Sequence, residues 1–213
     1  MAQPRIVILG PPGAGKGTQS SNIAEEYDIE HITTGDALRA NKDMDISDLD
    51  TEHDTPRAYM EAGDLVPDEV VNAIVEEALT TADGFVLDGY PRNLEQAKEL
   101  DDMTDIEVVL SLDVSREELI RRLTGRRMDP ETGDIYHTEF DMPDDEAVRE
   151  RLEQRDDDTH EAVERRLDVF EETTAPVVDH YRDHDGFVEI DGEQSPEDVW
   201  ADIDSAIQDR IDA

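Results

Sequence analysis

A short apolar run, Ile6-Val7-Ile8-Leu9, ends on a glycine, and the residues after it leave few ways to fold. The stretch Gly10-Pro11-Pro12-Gly13-Ala14-Gly15-Lys16-Gly17-Thr18 fits G-x-x-x-x-G-K-[ST] through Gly10, Gly15, Lys16 and Thr18. The pattern then turns helical, with Ile23, Ala24 and Tyr27 on one face. A continuous β-branched run belongs inside a parallel sheet. A glycine loop between such a strand and a helix turns successive N–H groups toward one point, where the helix N-terminus adds positive potential. Gly13, Ala14 and Gly17 complete that cradle. Lys16 then reaches the outer phosphates of a nucleoside triphosphate, and Thr18 sets its hydroxyl beside Mg2+.

The alternation continues along the chain. Apolar runs at 29–32, 85–88, 106–112 and 187–190 read as strands. Helical patterns lie between them: one opens at Thr34-Gly35-Asp36, one runs from Pro56 to an end at Gly63, and one starts at Pro67. Others cover 94–100, follow a Ser115 cap, extend through Val163, Leu167, Phe170, Val177 and Val178, and follow Ser195-Pro196. This order predicts an α/β fold: a P-loop NTPase-type parallel sheet covered by helices on both sides. Two segments interrupt it. Residues 41–54 carry six acids and few apolar anchors, which reads as a solvated stretch. Residues 125–158 combine Gly125, Pro130, Gly133 and Pro143 with a dense carboxylate run, a small excursion too apolar-poor for a large core.

Charge limits the partners. The 213 residues hold 58 Asp plus Glu against 19 Lys plus Arg, a formal net charge of -39. Phosphate-rich polymers and anionic membranes need concentrated positive charge, so neither is an expected partner. Self-repulsion of this size loosens a compact state. At 1 M salt the screening length shrinks to about 3 Å. An acidic surface with only Lys16, Lys42 and Lys98 as lysines therefore suits a protein of a halophile. The chain has no Cys, hence no disulfide framework and no thiolate metal site. Its first residues run into the strand without a signal peptide's apolar region, so a cytoplasmic protein is expected.

A phosphate loop leaves the fate of the phosphoryl open: water, in an NTPase, or a small acceptor, in a kinase. A kinase needs a second anion site facing the first and a way to exclude water. The arginines favour the kinase, because guanidinium forks suit phosphate oxygens. Arg39 follows Thr34-Gly35-Asp36, and Arg92 follows a strand-end acid and a glycine-proline turn. Arg122, Arg126 and Arg127 lead into the excursion, Arg155 leaves it, and Arg165 and Arg166 follow. Arg116, Arg149, Arg151 and Arg182 read as surface partners of neighbouring acids.

Together these residues resemble the adenylate kinase family of nucleoside monophosphate kinases. Gly10–Thr18 is similar to its phosphate loop, and Thr34-Gly35-Asp36 with Leu38-Arg39 to its monophosphate-site helix. Asp88-Gly89-Tyr90-Pro91-Arg92 with Gln96 resembles its D-G-[FY]-P-R...Q signature. Gly125-Arg126-Arg127 with Tyr136-His137 resembles the opening of its lid, and Arg155 through Asp157-Asp158 to Arg166 the closing side. Asp191-Gly192 resembles its adenine-side loop.

The resemblance implies Mg2+-dependent transfer of the ATP γ-phosphoryl to AMP, giving two ADP. Lys16, Arg126, Arg155 and Arg166 would surround the phosphoryl, and Arg39 and Arg92 would clamp the AMP phosphate. Asp88, with Asp36 nearby and Thr18 opposite, would orient Mg2+ waters. Arg122, Tyr136, His137 and Gln194 belong to the ATP side. Thr34, Gly35, Met60, Leu65, Val66, Gly89 and Gln96 belong to the AMP side. Asp64, adjoining them, stands where bacterial relatives often carry Lys and reads as surface adaptation. The expected organisation is core 1–124, with a monophosphate-binding segment at about 34–66, lid 125–158 and core 159–213. Some family lids hold zinc on mostly Cys ligands; with Asp129 and Thr132 in that region no structural zinc is expected here. Hydrogen bonds and apolar contacts around Ile135, Tyr136 and Phe140 would hold the lid instead. The resemblance also implies a monomer acting on free nucleotides. A UMP or CMP acceptor, or a GTP donor, remains an alternative within the motifs, and a P-loop NTPase a more distant one.

Overall fold

The computed structural model describes residues 3–49, 51–62 and 66–211. Strand β1 (Arg5–Leu9) has its last four residues buried. Helix α1 (Lys16–Tyr27) starts at Gly15, whose φ of 96° suits only glycine, and no side chain caps it. Its first N–H groups thus stay available to an anion. Next come β2 (Glu30–Thr33) and α2 (Thr34–Ala40), where the Thr33 hydroxyl accepts the Asp36 N–H. Helix α3 (Pro56–Ala62) opens on proline, and α4 (Asp68–Thr81) follows Pro67. Strand β3 (Phe85–Asp88) leads to α5 (Leu94–Met103), capped by Asn93, and β4 (Val108–Asp113) to α6 (Arg116–Gly125), capped by Ser115. The excursion holds β5 (Arg126–Met128), β6 (Ile135–His137), α7 (Glu146–Arg151) and a 3-10 turn at Asp156–Asp158. Then come α8 (His160–Val169), a π-helical turn (Phe170–Thr174), α9 (Ala175–Tyr181), β7 (Phe187–Asp191) and α10 (Pro196–Ile211).

The main sheet runs β2-β3-β1-β4-β7, with every pairing parallel. In β1 the period of two is visible. Ile6 and Ile8 pack into one apolar layer with residues of α1, α6, α8 and α10. Val7 and Leu9 pack into the other, with α4, α5 and α9. Both faces are therefore covered, as the unbroken apolar run demanded. Among the described residues no helix is long and apolar enough to cross a membrane.

Three expectations change. The 41–54 stretch has an anchor: Ile46 is buried with Tyr59, Val70 and Ile74, and Met44 and Leu49 pack beside them. A bidentate Arg57–Asp43 pair, at 2.7 and 2.8 Å, ties the stretch to α3. The long helix after residue 159 is not uniform, because the Ala175 N–H donates to Phe170 O across a wider π turn. Pro176 has no N–H and its ring would clash with the carbonyl four residues back, so a wider turn ahead of it relieves the strain. The end expected for α3 at Gly63 lies outside the described residues.

The third change concerns the excursion. Ile135 and Phe140 are about half exposed, so apolar contact holds little of it. Arg151, read as a surface partner, forms two bonds to Asp129, from Nε at 2.8 Å and NH2 at 2.6 Å. The Asp129 carboxylate is buried and also accepts the Glu131 N–H. Hydrogen bonding to Arg151 holds its pKa well down, at about 2. The hydrogen-bonded half of the expectation fits this arrangement; the apolar half does not.

Candidate nucleotide site

Parallel α/β sheets bind ligands beyond the carboxyl ends of their strands. Here β1 and β3, neighbours in the sheet, both end on a cleft of about 1510 Å3. The phosphate loop forms its floor. Lys16 donates from Nζ to Gly10 O at 2.7 Å and Pro11 O at 3.0 Å. Burial lowers the Lys16 pKa; Asp88 opposes that shift, and Arg92 and Arg166 add to it. Arg92, from the turn after β3, and Arg166, from α8, line the cleft with Lys16 and add their charge to its surroundings.

Asp88 and Thr18 line the same cleft. A Cβ placed on Gly17 would lie 3.7 Å from Asp88 Oδ2, so the carboxylate stands beside the first turn of α1. A hydroxyl and a carboxylate are hard oxygen donors of the kind Mg2+ takes, alongside substrate phosphates. Among the described residues no three His, Cys, Asp or Glu gather as a metal cage. The donors present therefore fit Mg2+ held largely by its nucleotide. Behind Asp88, His31 Nε2 lies 3.7 Å from Oδ2.

Arg92 is fixed at three atoms. Its N–H donates to Gln96 Oε1 at 2.8 Å, its Nε to Gly89 O at 2.8 Å, and its carbonyl accepts the Thr174 hydroxyl at 2.7 Å. The Thr34 hydroxyl also donates to Gly89 O, at 2.7 Å. Gln96 is buried and uses its other end too, donating from Nε2 to Asp68 Oδ1 at 2.8 Å. Reading a base edge would require it to exchange one of these bonds.

The remaining arginines are held by acids. Arg126 makes two bonds to Asp158, and Arg166 lies 2.9 Å from Asp157 Oδ2 and 3.5 Å from Asp158 Oδ1. Arg155 pairs with Asp157 at 3.0 Å, and Arg122 with Glu118 at 2.8 Å. Arg39 pairs with Asp36 on an exposed surface.

The cleft brings together Lys16, Thr18, Asp88, Gly89, Arg92, Arg122, Arg126, Tyr136, His137, Arg166 and Gln194. Gly10, Gly13, Ala14, Gly15 and Gly17 line it as well. Thr34, Gly35, Arg39, Met60, Val66, Gln96 and Arg155 lie outside its walls. Met60 is exposed, and Val66 packs against the core. Asp64 and Leu65 fall outside the described residues. Gln194 donates to Asp191 O and to Asp202 on α10, which fixes the loop after β7.

Sequence reading missed a stack at the mouth. The His137 ring lies on the Phe140 ring, centroids 4.3 Å apart and planes 20° apart. The Arg121 guanidinium covers Phe140 at 4.3 Å and bonds Glu139 at 2.8 Å. His137 sits so close to Gly125 that a Cβ there would collide with its ring. Glu118 holds both Arg121 and Arg122, and its spacing to Arg122 is the one local signal for this group.

A family model described as adenylate kinase matches residues 8–186. An adenylate kinase of Haloarcula marismortui is 69% identical over 217 residues, covering 100% of this chain and 99% of that protein. One from Natronomonas pharaonis is 68% identical over 211 residues, covering 99% and 100%. One from Thermoanaerobacter sp. is 46% identical over 218 residues, covering 97% and 99%. The family match runs from inside β1 to the edge of β7, so it spans the phosphate loop, the Arg92 turn and the excursion alike; the chain belongs to the adenylate kinase family.

Proposed function

We propose that this cleft transfers the γ-phosphoryl of ATP to AMP, giving two ADP. The observation that carries the reading is that Lys16, Arg92 and Arg166, brought from separate parts of the chain, line one cleft above a glycine loop. Such an arrangement suits two polyanions placed end to end. The acceptor, an AMP phosphate oxygen, is already anionic, so no strong general base is needed. Alignment, charge neutralisation and exclusion of water carry the catalysis.

In this reading the loop amides and Lys16 hold the β- and γ-phosphates. Arg126, Arg155 and Arg166 leave their acids for the transferring phosphoryl, and Arg92 and Arg39 hold the AMP phosphate. Mg2+, when bound, neutralises charge between the ATP phosphates; Thr18 and Asp88 would hold it. Residues 125–158 act as a lid over ATP, whose base packs near Arg122, Tyr136 and His137, with Gln194 fixing the adjoining loop. Residues 34–66 cover AMP, with Thr34, Gly35, Met60, Asp64, Leu65, Val66, Gly89 and Gln96 around its base.

The test is a matrix of nucleotide donors and acceptors at several KCl concentrations. ATP with AMP should give ADP while UMP, CMP and GTP react poorly. Equal use of UMP or CMP would replace the acceptor assignment, and rapid ATP hydrolysis without any acceptor would replace the reaction.

A further inference from the structure

We propose that Thr174 is a positioning residue for Arg92, and that the π-helical turn Phe170–Thr174 is what places it there. The inference rests on Arg92 holding the acceptor phosphate. Helix α8 contributes Val163 and Leu167 to one apolar layer, whereas α9 contributes Val177 and Tyr181 to the layer on the opposite face of the sheet. The chain therefore crosses from one face to the other at the carboxyl ends of the strands. The π turn lies at that crossing, and Phe170 and Thr174 line the nucleotide cleft there.

The Thr174 hydroxyl behaves differently from its neighbours. Thr80 and Thr124 each donate to the carbonyl four residues back in their own helix, as helical threonines commonly do, and Thr173, in the same π turn, still donates back to Val169 O, with its hydroxyl 3.4 Å from that of Thr174. Thr174 instead donates to Arg92 O at 2.7 Å, joining residues 82 apart in sequence. A π turn widens the helix and re-aims the side chains around it, which frees this hydroxyl to face outward.

The other two restraints on Arg92 are local. Gly89 and Gln96 belong to the same turn and the helix that follows it. They fix the shape of that turn, not its place relative to the rest of the cleft. Thr174 bonds the turn to a different element, the one continuous with α8 and therefore with Arg166. Farther back, Tyr181 and His180 of α9 also bond Ala97 O and Asp101 of α5, so Thr174 is the tie placed at the cleft itself, between the arginine proposed for the acceptor and the arginine proposed for the transferring phosphoryl. Bound geometry matters steeply in such a reaction, because the reacting atoms must already be aligned.

The test uses Thr174→Val, which keeps the branched shape and cannot donate, and Thr174→Ser, which can. Thr174→Val should raise KM for AMP roughly threefold to tenfold, the effect of one neutral hydrogen bond, with KM for ATP changed less than about twofold. Thr174→Ser should return both constants to the parent values. In an Arg92→Ala background Thr174→Val should add nothing, since its route of action is gone. Equal rises in both KM values, failure of Thr174→Ser to restore KM for AMP, or additive effects in the double variant would overturn the proposal. Arg92→Ala alone separates the two readings. If it leaves KM for AMP unchanged, the acceptor-site assignment falls and this inference with it. If it raises KM for AMP while Thr174→Val does not, only the role of Thr174 falls.

Discussion

Arg126 and Asp158 close a two-bonded ion pair where the lid joins the core, with Nε donating to Oδ2 at 2.8 Å and NH2 to Oδ1 at 2.6 Å. Asp158 is fully buried, while about a fifth of the arginine side chain reaches solvent. The acid occupies the guanidinium fork that a phosphate would take, so in the proposed reaction Arg126 would exchange one anion for another. Removing one partner of a buried pair leaves the other uncompensated and costs about 3–5 kcal/mol. Since Arg126 is partly solvated, Asp158→Ala should cost somewhat less, about 2–3 kcal/mol, read as a lowered urea midpoint at fixed salt.

A second prediction concerns the lid alone. Arg151 holds the Asp129 carboxyl at about 2, below the ordinary 3.8. A depressed carboxylate pKa stabilises the fold above the unfolded value, and that contribution is lost as pH falls through the folded value. The Asp129 contribution should therefore persist at neutral pH and fade between about 4 and about 2. The amide protection factors of residues 128–134, each rate divided by its intrinsic rate at that pH, should fall over that window. Arg151→Ala should speed the same amides at neutral pH and flatten the response.

Lys16 gives a third. Lys16→Ala should lower kcat at least 100-fold, roughly the cost of removing one preorganised donor to developing charge, with the thermal midpoint nearly unchanged. Burial holds its pKa below the ordinary lysine value of 10.5. Only the protonated amine serves the phosphates. The basic limb of the pH profile of kcat/KM, which reports the free enzyme, should accordingly fall below that value.

The surface supplies a fourth. With a net charge of -39, folding gathers like charges that the unfolded chain keeps apart. Raising KCl from about 0.1 M to 1 M shortens the screening length from about 10 Å to about 3 Å. The thermal midpoint should climb steeply across that range in scanning calorimetry. An equally viscous sucrose solution at low salt should not reproduce the full climb.

Local chemistry was readable before the fold was known. The phosphate loop, the Asp88–Arg92 turn, the Ser115 cap and the Ile6–Leu9 strand depend on residues within a few positions of one another. What escaped reading joins distant positions. Arg151 lies 22 residues from Asp129, and Thr174 lies 82 from Arg92. In a chain so rich in carboxylates most arginines have an acid a few positions away, so sequence cannot tell a buried partner from a surface one. Ile46 was lost for the opposite reason: with only Met44 and Leu49 as apolar neighbours among six acids it shows no clear period, yet it fills a core with Tyr59 of α3 and Val70 and Ile74 of α4. Gln96 stood out as a recognition residue, and the structure finds its amide engaged at both ends.

The base of the lid is clasped by its own backbone. Met128 and Glu153 exchange N–H and carbonyl groups at 2.9 Å in both directions, and Gln154 donates to Thr124 O at 3.2 Å. Everything between those two residues is a closed ring, and its ends meet whatever lies within. Doubling such a loop costs only about 0.6 kcal/mol in closure entropy. Residues added within the ring, at the exposed Gly133 turn, would therefore cost the clasp little, and a reporter sequence inserted there would leave the sheet and the phosphate loop untouched.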